Sequence, residues 1–347
     1  MPLERINWVD HAKGVCIILI VAAYASLGYA DMIRQTSWMN GVITWAEPAL
    51  LPAFFFLSAL FLNLSVFGPG KHFLDRKILH FTYFYLVWLV IQSLMLAPAG
   101  SATAPFALMG SILTALVSPP DSLLLVYMLI VFHAVTRLSR FLSPQKVFVS
   151  AALLQVAFAT GWIVANQFGA WFVFFFSGFV AAPHVFEFAD RVMGHTRELW
   201  NVLLGWAVAN AAFVTLNVSD LPLISLALGL AGAAAIVALG LQLSRIKWLA
   251  VLGHAGRHCL VIYLTFAIPV TVLQQALAIN GRIGDAGLAC LAITLGGVAL
   301  PLIFHRMVRA TPLNFVYQRP RSLRLRNARN HSKASLLPPP PASSSNA

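Results

Sequence analysis

Residues 13–29 read KGVCIILIVAAYASLGY. One lysine opens the run and no other charge interrupts it. The run sits near the N-terminus behind a basic residue, as a secretory leader does. No small-residue cleavage site ahead of a polar mature segment follows it, and further apolar runs do, so it is expected to be a retained helix. Those runs lie near 41–67, 79–97, 121–137, 147–165, 170–187, 198–216, 221–243, 257–278 and 286–305. Runs of roughly 20 residues each suffice for a ~30 Å hydrocarbon core. The stretch 102–118 is also apolar, but Pro98 and the pair Pro119-Pro120 bound it. It reads as a re-entrant or interfacial piece.

Composition agrees. Of the 347 residues 59% are hydrophobic and only 10% charged, whereas soluble domains are about 25% charged. Mean hydropathy is +0.80. An ordinary soluble enzyme and a disordered chain are both excluded. The expected fold class is all-α: a polytopic transmembrane helical bundle of about ten spans in one domain, residues 1–319. Cys16, Cys259 and Cys290 all lie in apolar runs and read as small core residues rather than a disulfide framework.

The net charge of +12 is uneven. From Arg306 onward there are eight Lys/Arg and no acid. Residues 320–347 are basic and Pro/Ser-rich, too poor in apolar surface to fold, and are expected to form a disordered cytoplasmic tail against anionic lipid. No aromatic or zinc module accompanies these arginines, so no nucleic-acid partner is expected. Alternate loops carry Lys71/Arg76/Lys77, Arg137/Arg140/Lys146, Arg191/Arg197, Arg245/Lys247 and the tail, while the intervening ones carry only Arg34 and Arg282. The positive-inside rule places the first set, and both termini, in the cytoplasm. An even number of spans follows.

Ionisable groups within spans are costly and therefore functional candidates. Glu47 stands in ITWAEPALLPAFFFLSALFL, residues 43–62, beside Pro48. It is either hydrated at the outer interface or placed in an aqueous cavity. Pro48 and Pro52 each remove a backbone donor, and a helix broken in this way is tolerated against protein or a cavity. The second span is therefore expected to be a cavity wall. Of the ten histidines, six (His11, His72, His80, His184, His195 and His254) fall near cytoplasmic ends. His254 and His258 are spaced i, i+4, but no acid lies near them, and no metal site is assigned. No P-loop, GxGxxG or GxSxG elbow is present.

The opening ERINWVDHAKGVCIILIVAAYASLGY resembles that of integral-membrane acyltransferase family 3 at Arg5, Trp8, Asp10, Lys13 and Gly14. LLPAFFFLSALFL resembles the family's second motif at Pro52, Phe54, Phe55, Phe56 and Ser58, and LDRKILHFTYFY a third at Asp75, Arg76 and Lys77. LLLVYMLIVFHAVTRL, FFFSGFVAAPHVFEFA and HAGRHCLVIYLTFAIP resemble a bacterial branch. The resemblance implies a multi-pass inner-membrane enzyme. It would move an acyl group, acetyl above all, from acyl-CoA as co-substrate to a sugar hydroxyl of a cell-surface or exported glycan. Membrane lipid and a glycan acceptor are the implied partners. A second transfer step would need a periplasmic partner protein.

The departures bear on chemistry. The family spaces a basic residue and a histidine by ten residues; here Lys13 is followed at that spacing by Tyr24. A general base should be neutral and basic near pH 7. Histidine, at ~6.5, meets this, and tyrosine, at ~10, does not. Tyr24 can still donate to a developing oxyanion. Leu50 stands where the family has His or Arg, Ala53 where the closer branch has Asp, and Ala59 where Gly is usual. The candidate catalytic residues are Tyr24, Lys13 and Glu47. Lys13, Arg76 and Lys77 are the candidates for the donor's phosphates. Three readings stay open: an active O-acyltransferase, a member that has lost catalysis and serves as a binding or structural membrane protein, and a transporter of a lipid-linked sugar.

Overall fold

The computed structural model describes residues 6–96, 105–157, 163–192, 196–280 and 284–325. Arg5, His195, Arg282 and the tail from residue 326 lie outside the described residues. All regular structure among the described residues is helical. In chain order the helices are α1 (Asn7–Ile33), α2 (Trp38–Ala59), α3 (Asn63–Val66), α4 (Gly70–Phe73) and, after a π-helical turn at Leu74–Ile78, α5 (Leu79–Met95). Then come α6 (Pro105–Val117), α7 (Leu124–Leu138), α8 (Pro144–Ala157), α9 (Ile163–Val192), α10 (Thr196–Thr215), α11 (Pro222–Leu243), α12 (Ala250–Arg257), α13 (Cys259–Thr265), α14 (Ala267–Asn280) and α15 (Ala286–Val308).

The described part of each of the ten apolar runs is largely helical. Among the described residues, seven helical segments are long and apolar enough to cross a membrane, and the pair α13–α14, bent by 51°, makes eight. The other two runs are α8, 14 residues long, and α10, which carries Arg197 and Glu198 in its first turn. The stretch read as a re-entrant piece is α6, whose 13 residues span about 20 Å, short of a ~30 Å core.

Helix α1 is the central element, packed by α2, α11, α12, α13, α14 and α15. Close approach needs small residues. A Cβ on Gly14 would stand 2.1 Å from the Leu252 carbonyl oxygen, and one on Gly256 1.7 Å from that of Asp10. The motif glycine Gly14 thus lets α1 and α12 cross backbone to backbone. The motif phenylalanines serve a similar end: a Cβ on Gly178 would meet the Phe56 carbonyl at 2.2 Å, seating α2 on α9. Phe55 is fully buried against Phe132 and Trp171.

Contrary to expectation, α2 is not broken: it runs through both prolines without interruption. Its two prolines, four residues apart, deprive the carbonyls of Thr44 and Pro48 of their helical donors. Both residues line a cavity, so the expected wall exists without a break. All three cysteines are free thiols.

Candidate active site

Two cavities open toward opposite ends of α1. The first, about 750 Å³, is lined along α1 by Ile20, Tyr24, Leu27, Gly28 and Asp31, and along α2 by Asn40, Thr44, Glu47 and Leu51. These positions recur every three or four residues, so each helix presents one face to the space. Tyr24 lies nine residues before the end of α1, and Glu47 nine residues after the start of α2. At 1.5 Å per residue both sit about 14 Å below that end of the bundle. The structure therefore brings Tyr24 and Glu47 together at one depth.

Tyr24 is held on two sides. Its ring meets Phe266 edge-on, with centroids 5.1 Å apart. Its carbonyl accepts a hydrogen bond from Gln274 Nε2 at 3.2 Å, and that of Ala25 another at 3.0 Å. Among the described residues the Tyr24 hydroxyl bonds to no protein group. Across the cavity stand Asp121, Trp171 and Tyr263. The Tyr263 oxygen accepts from the Leu125 N–H at 3.0 Å, and Ser122 donates to Gln92 at 2.6 Å. These bonds fix the turn that carries Asp121. Asp121 lies within electrostatic range of both tyrosines.

No histidine lines this cavity among the described residues. Leu50 does line it; the position where the family carries His or Arg faces the space with an apolar side chain. Ser58 spends its hydroxyl on the Phe54 carbonyl at 2.7 Å. Glu47 and Trp171 also border a neighbouring space of about 310 Å³ with Asn217 and Asp220.

The second cavity, about 520 Å³, lies at the basic end. Arg76, Lys77, His80, Tyr317, Arg319, Arg324 and Phe61 are among its lining residues. Lys13 is among the lining residues of neither cavity; its ammonium lies 5.7 Å from the centre of the ring of Phe61, which lines the second. Eleven residues of helix separate Lys13 from Tyr24, about 16 Å and very nearly three full turns. The spacing thus puts both on one stripe of α1, one toward each cavity. Asp75 is buried and paired with Arg319. Its motif neighbours Arg76 and Lys77 are aimed by the π-helical turn, a feature often met at functional sites. Burial pushes the Tyr317 phenol up to about 12, against the pull of its 2.7 Å bond with Thr265, so it adds no charge to this end.

Outside both cavities, the His254 and His258 rings lie 4.5 Å apart, and His305 lies 5.7 Å from His258. Among the described residues no group of three His, Cys, Asp or Glu side chains is placed to hold a metal ion. His133 is buried between Phe81 and Phe175. Arg137, read from sequence as an orientation marker, also clamps the C-terminal end of α3 and the loop after it by donating to the carbonyls of Ser65, Val66 and Gly68.

Sequence reasoning missed Asp31, Asp121, Tyr263 and Gln274 in the first cavity and Arg319 and Arg324 in the second. Asp121, directly after Pro119-Pro120 at the mouth of a span, carried a usable signal; Gln274 carried none.

A helical membrane bundle with a deep aromatic and acidic cavity at one end and a basic one at the other defines a multi-pass membrane protein built around an internal site. The sequence matches the acyltransferase domain of family 3 over residues 6–306, and the chain belongs to that family. No curated protein and no solved structure matches the chain.

Proposed function

We propose that this protein is an inner-membrane O-acyltransferase. Its termini and basic cavity face the cytoplasm, and its Tyr24–Glu47 cavity faces outward. The acyl donor is acyl-CoA and the acceptor a sugar hydroxyl of a surface or exported glycan. The observation that carries this reading is the shared cavity of Tyr24 and Glu47, with a separate basic cavity whose Phe61 meets Lys13 of α1.

The basic cavity suits the donor's phosphates. Its one carboxylate, Asp75, is already neutralised by Arg319, which leaves the charge of Arg76 and Lys77 for an anion. The donor supplies an activated acyl thioester: the acceptor oxygen bonds the acyl carbon, the C–S bond breaks, and coenzyme A leaves as the thiol with the proton released by the acceptor. Glu47 takes the proton of the acceptor hydroxyl, because a carboxylate near pH 7 is ionised and a phenol is not. Tyr24 donates its hydroxyl hydrogen to the oxyanion that develops on the acyl carbonyl. Trp171, Tyr263 and Phe266 give the acceptor apolar surfaces, and Asn40, Thr44 and Gln274 give it polar edges.

The test is transfer of labelled acetyl from acetyl-CoA to a sugar acceptor in proteoliposomes. Glu47→Gln should lower turnover by about 10²–10⁴-fold, the usual worth of a general base, and remove the acid limb of the pH–rate profile. Unchanged turnover in this variant would overturn the assignment. A second reading, a member that binds but does not transfer, draws on Leu50 facing the cavity. It predicts acceptor binding without transfer in the wild type.

A further inference from the structure

The family match ends at residue 306, yet the chain beyond it is built into the basic end. Tyr83 Oη donates to the Phe315 carbonyl at 2.9 Å, and Trp88 Nε1 to that of Val316 at 3.2 Å. Tyr317 bonds to Thr265. Arg319, only 6% exposed, donates to the Asp75 carbonyl at 2.8 Å and to its carboxylate; Asp75 is 4% exposed. The Leu325 N–H donates to the same carboxylate at 3.0 Å. Residues 312–325 thus form a strap whose Tyr317, Gln318, Arg319 and Arg324 share the cavity wall with Arg76, Lys77 and His80.

A buried ion pair returns little net stability but tolerates only one geometry. Two groups of the strap, a guanidinium and a backbone N–H, converge on one carboxylate. This sets the register of the strap and cancels the only acid in the cavity. Arg76, Lys77 and Arg324 then have no carboxylate partner among the described residues. Three cations in a cavity of about 520 Å³ suit a ligand with more than one phosphate group.

We propose that the strap is part of the binding site: phosphate groups of a soluble ligand bind among Arg76, Lys77 and Arg324, and the Arg319–Asp75 pair is the positioning element that holds Arg324 in that wall. This rests on the donor-side reading above and extends it to residues outside the family domain. A chain cut at the end of that domain would lack one of the three cations of its anion site and the Arg319 that positions it.

The experiment measures binding of adenosine 3′,5′-bisphosphate to the full chain in phosphatidylcholine nanodiscs, at two salt concentrations. The wild type should bind, more weakly at high salt. Arg324→Glu, at an exposed position, should weaken binding tenfold or more. Arg319→Ala should do the same and Arg319→Lys less, while Lys146→Glu, exposed and away from the cavity, should change nothing. Thermal melting checks that each variant is folded, and Arg324→Glu keeps the test open should Arg319→Ala fail to fold. Binding unaffected by both Arg324→Glu and Arg319→Ala overturns the proposal. So does Arg324-dependent enrichment of phosphatidylglycerol with no bisphosphate binding, which would make the ligand a lipid headgroup. Transfer from acetyl-CoA that Arg324→Glu leaves unchanged defeats this proposal and spares the enzyme reading. Arg324-dependent bisphosphate binding without any transfer does the reverse.

Discussion

Gln274 holds the backbone of Tyr24. Its amide, reaching from α14, donates to the carbonyls of Tyr24 and Ala25 at 3.2 and 3.0 Å. Tyr24 is thus located by a clamp on its main chain, while among the described residues its hydroxyl bonds to no protein group. One turn on, Gly28 makes room for the clamp, since a Cβ there would lie 2.6 Å from Gln274 Nε2. Gln274→Leu should cost about 1 kcal/mol, the scale of an interhelical hydrogen bond in a membrane, and lower turnover without abolishing it. Gly28→Ala should shift both in the same direction. Detergent melting curves and transfer rates measure this; a Gln274→Leu protein with wild-type melting and turnover would show that the clamp is idle.

Position 24 separates the enzyme from the inactive relative. Tyr24→His restores a base of ~6.5 and should raise transfer, with a pH optimum nearer neutrality. Tyr24→Phe removes the oxyanion donor and should lower kcat by about 10²–10³-fold with little change in acceptor affinity. If the wild type turns over acetyl-CoA and Tyr24→Phe does so equally well, Tyr24 plays no part in the chemistry.

Gly14 is expected to be structural despite its place in a catalytic motif. Replacing a helical glycine with alanine ordinarily gains about 0.5–1 kcal/mol. Here the added carbon would stand 2.1 Å from a backbone oxygen that no rotamer change can move. Overpacking of about 1–3 kcal/mol outweighs the gain, so Gly14→Ala should melt lower and Gly14→Val lower still. A higher melting temperature for Gly14→Ala would contradict the α1–α12 crossing.

Asp285 ties the first turn of α15 to that of α2. Its carboxylate caps the Leu288 N–H at 2.7 Å and accepts from the Trp38 indole at 3.2 Å. These bonds, the Leu288 one foremost, hold its pKa below the ordinary 3.8. A depressed carboxylate stabilises the fold above its unfolded pKa, and that contribution fades as pH falls through the folded value. Asp285→Ala should therefore melt below wild type by a constant margin from pH 7 down to about 4, with the margin closing at lower pH. A margin that persists unchanged at low pH would mean the effect is not electrostatic.

The spans were legible because each long helix contains an apolar stretch of 18 residues with no more than two charges. The cavity faces of α1 and α2 follow from helical spacing once a candidate residue is named, which is why Tyr24 and Glu47 emerge from sequence alone. What stayed hidden depends on partners distant in the chain. The 51° bend between α13 and α14 is an exception: it falls at Phe266, where Pro269 leaves the Thr265 carbonyl without its helical donor, a mark the sequence does carry. The π-helical turn at Asp75 has no compositional mark. Arg319 looked like one more tail charge, and only the fold shows it beside Asp75. Lys13 was grouped with Tyr24 because the motif lists them together; helical rise separates them.

The Arg319–Asp75 pair also has a bearing on how the protein is made. The two residues are 244 positions apart, and a ribosome adding about 5–20 residues per second takes roughly 12–50 s to travel between them. Throughout that interval Asp75 waits without its cation while the later helices insert. The basic end can reach its final form only after Arg319 has been made. A chain released early, even one holding every membrane helix, keeps a lone acid where the finished protein has a neutral pair.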